Sequence, residues 1–206
     1  VIYNRDISER KRAANKINDL YNTIKEREQY YKTILDSNTD IIFMVNKIGK
    51  QLYFNKQAEQ LMGYNQSDLT GESFTKYVPK RELVKYGNKL TEVFIRNKIE
   101  PFESSIIHSN GHEIPVEITG RVISYRGKKV GVGSIRDITD RKQAEKELSK
   151  ATRIINRSSA VAFLWQNKEG WPVEFVSENV ERLTGYSSEE FVKGKLSYSE
   201  IIHADD

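Results

Sequence analysis

The chain has 206 residues, 37% of them apolar and 30% charged, a balance that suits one or two soluble globular modules joined by solvated helices. It contains no cysteine, so disulfides, thiolate metal sites, cysteine nucleophiles and thiol photochemistry are all excluded. The formal charge is +4, but 33 Lys and Arg are scattered among 29 Asp and Glu, which describes a mixed solvated surface rather than the basic face of a nucleic-acid reader.

No apolar run approaches the roughly 18–20 residues of a membrane span. The longest, Ile41-Ile42-Phe43-Met44-Val45, is strand length. The segment is expected to be cytoplasmic and without direct membrane contact. Because it begins with Val1 rather than Met, it is expected to come from a longer parent chain, for which a membrane anchor stays open.

Residues 9–35 contain neither Pro nor Gly, and Ala13, Ile17, Leu20, Ile24, Tyr31 and Ile34 recur at helical spacing. The alternation of threes and fours is that of a coiled-coil seam, interrupted at Arg27, and Ser8 is a suitable N-cap. The alternative is a helix packed on its own domain. A surface dense in Lys, Arg and Glu around the stripe favours a seam between two chains.

Asp40–Asn46 is rich in strand formers, and Lys47–Lys50 turns it into a second strand, Gln51–Phe54. Asn55 is expected to cap a short helix through Met62, with Gly63 ending it. Short helical turns follow over Ser67–Val78. Pro79 then sits in the first turn of a longer helix to about Asn97, whose inner face carries Leu83, Leu90, Val93 and Phe94. Pro101–His108 leads through Asn110-Gly111, a strong hairpin signal, into a strand with Ile114, Val116 and Ile118 on one face. Arg126-Gly127 turns the chain into Lys129–Arg136. Three hairpin-linked strands after two strands and a helical stretch predict an antiparallel sheet with helices on one face, an α+β fold. Residues 140–156 form a shorter, weaker helix with Ala144, Leu148, Ala151 and Ile155.

Parts of this pattern recur. Arg5-Asp6-Ile7-Ser8-Glu9-Arg10-Lys11-Arg12-Ala13 returns as Arg136-Asp137-Ile138-Thr139-Asp140-Arg141-Lys142-Gln143-Ala144. Asn46-Lys47-Ile48-Gly49 returns as Asn167-Lys168-Glu169-Gly170, and Glu59-Gln60-Leu61-Met62-Gly63-Tyr64 as Glu181-Arg182-Leu183-Thr184-Gly185-Tyr186. The period is that of a small domain, too long for a solenoid unit.

The Asn46–Gly49 turn followed by Tyr53-Phe54-Asn55 and Leu61-Met62-Gly63-Tyr64 resembles the PAS family of sensory modules. So do the Ser109-Asn110-Gly111 hairpin with its alternating strand and the closing Asp137-Ile138-Thr139. Ser177–Tyr186 and Ile201–Asp206 look like the helical half of the same fold. The resemblance divides the chain into the end of a preceding PAS module (1–8), a coiled-coil-like linker helix (9–35) and a complete PAS domain (36–139). A second linker helix (140–156) and the N-terminal part of a further PAS domain (157–206) follow. It implies a five-stranded antiparallel sheet of order 2-1-5-4-3, a pocket between sheet and helices, dimerisation through the flanking helices, and output through their geometry. Asp137, Ile138 and Thr139 would form the relay, and simple helix capping by Asp137 and Thr139 is compatible with that role. Ile17, Leu20, Ile24, Tyr31 and Ile34 would form the dimer seam. The two linkers do not differ by a whole number of heptads, so the longer first one is the better dimer candidate.

Candidate chemistry is sparse. The histidines are His108, His112 and His203. The first two flank a hairpin turn and could face each other, but two imidazoles make a poor metal site, so none is expected. Haem-binding relatives resemble one another in a His on or beside the long helix, which Lys80–Lys98 lacks. Flavin-thiol chemistry needs a Cys, and a non-covalent ligand stays open. Gly131-Val132-Gly133 lies within a strand and is no phosphate loop. No catalytic set can be assembled. Met44, Phe74, Tyr77, Leu90, Phe94, Phe102 and Ile118 are candidates for a pocket lining, or else ordinary core, with the Tyr77 hydroxyl as its polar handle. The expected function is a non-catalytic sensory relay, dimeric, with further PAS domains and most often a histidine kinase in the same chain. A small-molecule receptor and a structural dimerisation spacer are the alternatives, and a cyclic-nucleotide cyclase is the other output.

Overall fold

The computed structural model describes residues 2–168 and 170–196, with side chains from Arg10 onward. The chain divides into two compact units at Thr139 and Asp140.

The first unit opens with a helix, α1 (Ile2–Asp36). It starts ahead of the expected residue 9, so Ser8 lies inside it rather than capping it. Arg5-Asp6-Ile7 is wound into this helix, whereas its later copy Arg136-Asp137 ends a strand. The copies differ because a strand needs a ladder partner, which Arg136 and Asp137 find in Glu117 and Val116. A helix closes its own backbone bonds.

Strands β1 (Ile41–Val45) and β2 (Gln51–Phe54) pair antiparallel. In the turn between them Asn46 Oδ1 accepts from the amides of Ile48 (3.1 Å) and Lys50 (2.9 Å). Helices α2 (Gln57–Met62) and α3 (Gln66–Leu69) follow, then a 3₁₀ turn at Phe74–Tyr77. Pro79 leads into a second 3₁₀ turn, Lys80–Glu82, before α4 (Leu83–Arg96), so the expected single helix is divided. Asn97, at φ 63°, ends it in the left-handed region that Asn tolerates.

Strands β3 (Lys98–Ile107), β4 (Glu113–Tyr125) and β5 (Lys128–Asp137) complete a sheet of order β2-β1-β5-β4-β3. This is the α+β PAS arrangement. β3 begins before Pro101, and its register is irregular between Ile99 and Phe102. An edge strand accommodates Pro there because no inner ladder bond is lost. Ile106, Ile114, Val116 and Ile118 are buried with Ile41, Phe54 and Met62 in one core. Each fully buried branched side chain stabilises by about 1.5–3 kcal/mol.

The second unit takes up α5 (Thr139–Arg157) from Asp140 onward, then a hairpin of β6 (Phe163–Trp165) and β7 (Val173–Val176), α6 (Val180–Thr184) and α7 (Ser188–Val192). Val173, Val176, Val180 and Phe191 form its core, with Phe163 and Trp165 against it. His203 and the Ile201–Asp206 patch lie outside the described residues.

Candidate functional site

A cavity of about 90 Å³ lies between the sheet and α4, bounded also by α2 and the Phe74–Tyr77 turn. Of the candidate residues, Phe74, Tyr77, Leu90, Phe102 and Ile118 line it. Met44 and Phe94 do not. Alternation along β1 turns Phe43 and Val45 towards the cavity and Met44 to the other face. On α4 Tyr86, Lys89, Leu90 and Val93 line the cavity, while the Phe94 ring stands beside it, over Gly131 of β5.

Tyr77 is not an open polar handle. Its hydroxyl donates to the Asp68 carbonyl, and burial first, then Glu72, pushes its pKa up to about 12. The reading from sequence missed Tyr86, which lies at helical spacing between Leu83 and Leu90. Its ring packs edge-on to Phe102 at 5.8 Å, and its hydroxyl donates to the Ser105 carbonyl at 3.1 Å. Burial raises that hydroxyl's pKa above its ordinary value. Gln51 was missed as well. It is only 7% exposed, it lines the cavity, and its Oε1 is buried without a hydrogen-bond partner.

The module is tied to α1 by Asn55, a residue expected to cap α2. Its side chain instead accepts from the Ile42 amide (2.9 Å) and donates to the carbonyls of Leu35 (2.8 Å) and Asp40 (3.1 Å). Next to it the Lys56 amide donates to Asp36 Oδ1 at 2.8 Å. The second unit rebuilds this clamp with other side chains. Ser177 Oγ accepts from the Ala162 amide at 2.9 Å, and Asn179 donates to the carbonyls of Ser158 and Ala160. Asn156 Oδ1, on α5, accepts from the Glu178 amide at 3.1 Å.

At the other end of the module Asp137 Oδ1 accepts from the Thr139 amide (2.7 Å) and the Thr139 hydroxyl (2.5 Å). Between them Ile138 is buried, and its amide donates to the Pro115 carbonyl at 3.0 Å. The three relay candidates therefore form one junction, in which Asp137 caps Thr139 and the Ile138 backbone is held to β4.

The seam residues Ile17, Leu20, Ile24, Tyr31 and Ile34 are brought together on α1 and are all exposed, from 48% at Ile34 to 68% at Ile17. His108 and His112 stack with ring centroids 4.5 Å apart. No group of three or more His, Cys, Asp or Glu that could hold a metal occurs among the described residues, and no described helix is long and apolar enough to cross a membrane.

A sequence profile of the PAS domain matches residues 39–140 and again 159–204. The chain belongs to the PAS domain family. A PAS domain is a sensory module. The chain is 36% identical over 110 residues to a methyl sulfide methyltransferase-associated sensor of Methanosarcina acetivorans, a match covering 49% of this chain and 11% of that protein. It is 25% identical over 157 residues to sporulation kinase C of Bacillus subtilis, covering 74% of this chain and 36% of that kinase. The chain thus spans only a fraction of the curated relatives it matches. Among solved structures, the PAS domain of an HTR-like protein from Haloarcula marismortui superposes with a TM-score of 0.54 at 16% identity, over 59% of this chain and 99% of that one. This likeness shows the fold alone.

Proposed function

We propose that the chain is a sensory relay that pairs with a second copy along α1 and passes a change in its PAS module to an output domain through α5. The observation that carries this reading is the α1 stripe. Five large apolar side chains at coiled-coil spacing stand exposed, and the hydrogen bonds from α1 to the module come from its last turn, at Leu35 and Asp36. Exposed apolar stripes of this regularity mark a partner surface. Light scattering tests it: the chain should have the mass of a dimer, and Ile17→Lys with Ile24→Lys should reduce it to a monomer. A monomer at high concentration would overturn the pairing.

The output is a histidine kinase in this reading, supported by the similarity to sporulation kinase C, with a cyclic-nucleotide cyclase as the other candidate. Further PAS domains and the kinase belong to the same parent chain, on the cytoplasmic side. The segment itself contributes no catalysis.

A second reading, a small-molecule receptor, is favoured over a bare spacer by one specific observation. The cavity is lined by Gln51, whose Oε1 is buried with no protein partner. Native structures leave few such atoms unsatisfied.

A further inference from the structure

Gln51 is buried by its neighbours rather than by its own character. Its backbone is fully used, since its amide donates to the Glu72 carbonyl and its carbonyl accepts from Gly71, both at 2.8 Å. Residues 71–73 thereby close the free edge of β2. A buried acceptor left without a donor destabilises a fold, whereas a paired one is close to neutral.

The other polar groups of the lining are already engaged. The Tyr77 hydroxyl is held by Asp68, the Tyr86 hydroxyl by Ser105, and Lys89 Nζ by Glu92 Oε2 at 2.8 Å. The cavity that Gln51 lines is otherwise walled largely by apolar side chains, among them Phe43, Phe54, Phe74, Phe102 and Met62. A buried water needs about two to four polar partners, and among the described lining side chains the Gln51 amide alone is left open. An ion would have to leave water for apolar walls, at high cost. At about 90 Å³ the cavity is smaller than the roughly 150 Å³ engineered pocket that accepts benzene.

We propose that the cavity takes a neutral, compact, mostly apolar molecule bearing one N–H or O–H donor, and that Gln51 Oε1 accepts that donor. The proposal rests on the receptor reading and names the class of molecule received. Selectivity follows from the lone acceptor. An isosteric molecule without a donor leaves Oε1 as unsatisfied as before, and a charged one pays for desolvation with no counter-charge free to meet it.

Pyrrole and furan are matched probes, small neutral rings that differ chiefly in the N–H donor. Each is titrated into the full chain and its affinity read by ligand-detected NMR. Pyrrole should bind about tenfold more tightly than furan, the ratio expected of one hydrogen bond to a desolvated neutral acceptor. In Gln51→Leu the ratio should fall to about one, with furan bound as well as before or better and a melting temperature no lower than the parent's. Equal affinities in the unaltered chain, or a preference that survives in Gln51→Leu, would overturn the role of Gln51 and leave a receptor standing. No saturable binding of either probe would remove the receptor reading itself. The comparison in the unaltered chain decides the matter even where Gln51→Leu fails to fold, and Gln51→Met then serves as the second variant.

Discussion

Arg136 meets Asp40 across 96 positions of the chain, with Nε 3.2 Å from both carboxylate oxygens and Nη2 3.0 Å from Oδ2. Asp40 immediately precedes β1, and its carbonyl is one of the groups held by Asn55. Arg136 immediately precedes Asp137, the cap of the outgoing helix. The pair therefore links the place where α1 joins the module to the place where the module leads into α5. Because the guanidinium is largely exposed, the pair contributes little to global stability. Arg136→Met should leave the melting temperature nearly unchanged while speeding amide hydrogen exchange at both Ile42 and Thr139. Faster exchange at one junction alone would show that the pair does not couple them.

Asn55 is the opposite case, a fully buried polar side chain with all three of its hydrogen bonds made to backbone. Asn55→Ala strands the Ile42 amide and the carbonyls of Leu35 and Asp40. Chemical denaturation should show a loss of about 3 kcal/mol for the first unit, from buried groups left unpaired. A loss below about 1 kcal/mol would mean that water replaces the side chain.

Much of this architecture was legible from sequence, and the reason differs by element. The hairpin at Asn110-Gly111, the alternation of Ile114, Val116 and Ile118, and the sheet order follow from local turn chemistry, from period-two patterning and from the family resemblance. Asn55 was read as a cap because Asn before a helix ordinarily is one. Its true partners, Leu35 and Ile42, are 20 and 13 positions away. The second unit held a clue, since Ser177 and Asn179 recur just ahead of the matching helix. Gln51 was illegible for a related reason. A Gln between Lys50 and Leu52 reads as solvent-facing, yet the fold turns it into the cavity beneath α4 and the Phe74–Tyr77 turn. Met44 belongs to the same strand as the lining residues Phe43 and Val45 but faces the other way, an orientation that an unbroken apolar run does not reveal.

The paired glycines of the repeat separate backbone strain from close packing. Gly63 and Gly185 both end short helices in the left-handed region, at φ 71° and 78°. A Cβ on Gly63 would lie 2.5 Å from Ser109 Oγ and 2.7 Å from the His108 ring, whereas one on Gly185 meets nothing within 4 Å. Gly185→Ala should cost about 1–2 kcal/mol, the left-handed penalty alone. Gly63→Ala should cost more than that, with His108 displaced, and its imidazole NMR shifts report the displacement. Equal costs would mean that the hairpin yields freely.

Arg81 and Glu113 give the first unit a pH dependence of known sign. Nη1 donates to Oε1 at 2.5 Å and Nη2 donates to Oε2, and the hydrogen bond from Arg81 is the main reason that Glu113 lies below the ordinary carboxylate value of 4.5. A carboxylate depressed in the folded state contributes stability above its unfolded pKa, and loses it as pH falls through the lower folded one. Glu113→Gln should therefore lower the melting temperature slightly at about pH 7 and not at about pH 2–3. A gap of the same size at both pH values would assign the effect to packing.

In the proposed relay the Asp137–Thr139 junction is the point at which a change in the sheet would reach α5. The direct measurement is the output activity of the full-length parent carrying Asp137→Ala or Thr139→Ala, beside circular dichroism melts of the same variants. Both variants should keep a cooperative melt close to the parent's while the output no longer follows the state of the module. Unchanged output in a folded variant would contradict the relay, and so would gross unfolding of both, which would reduce the junction to a structural cap.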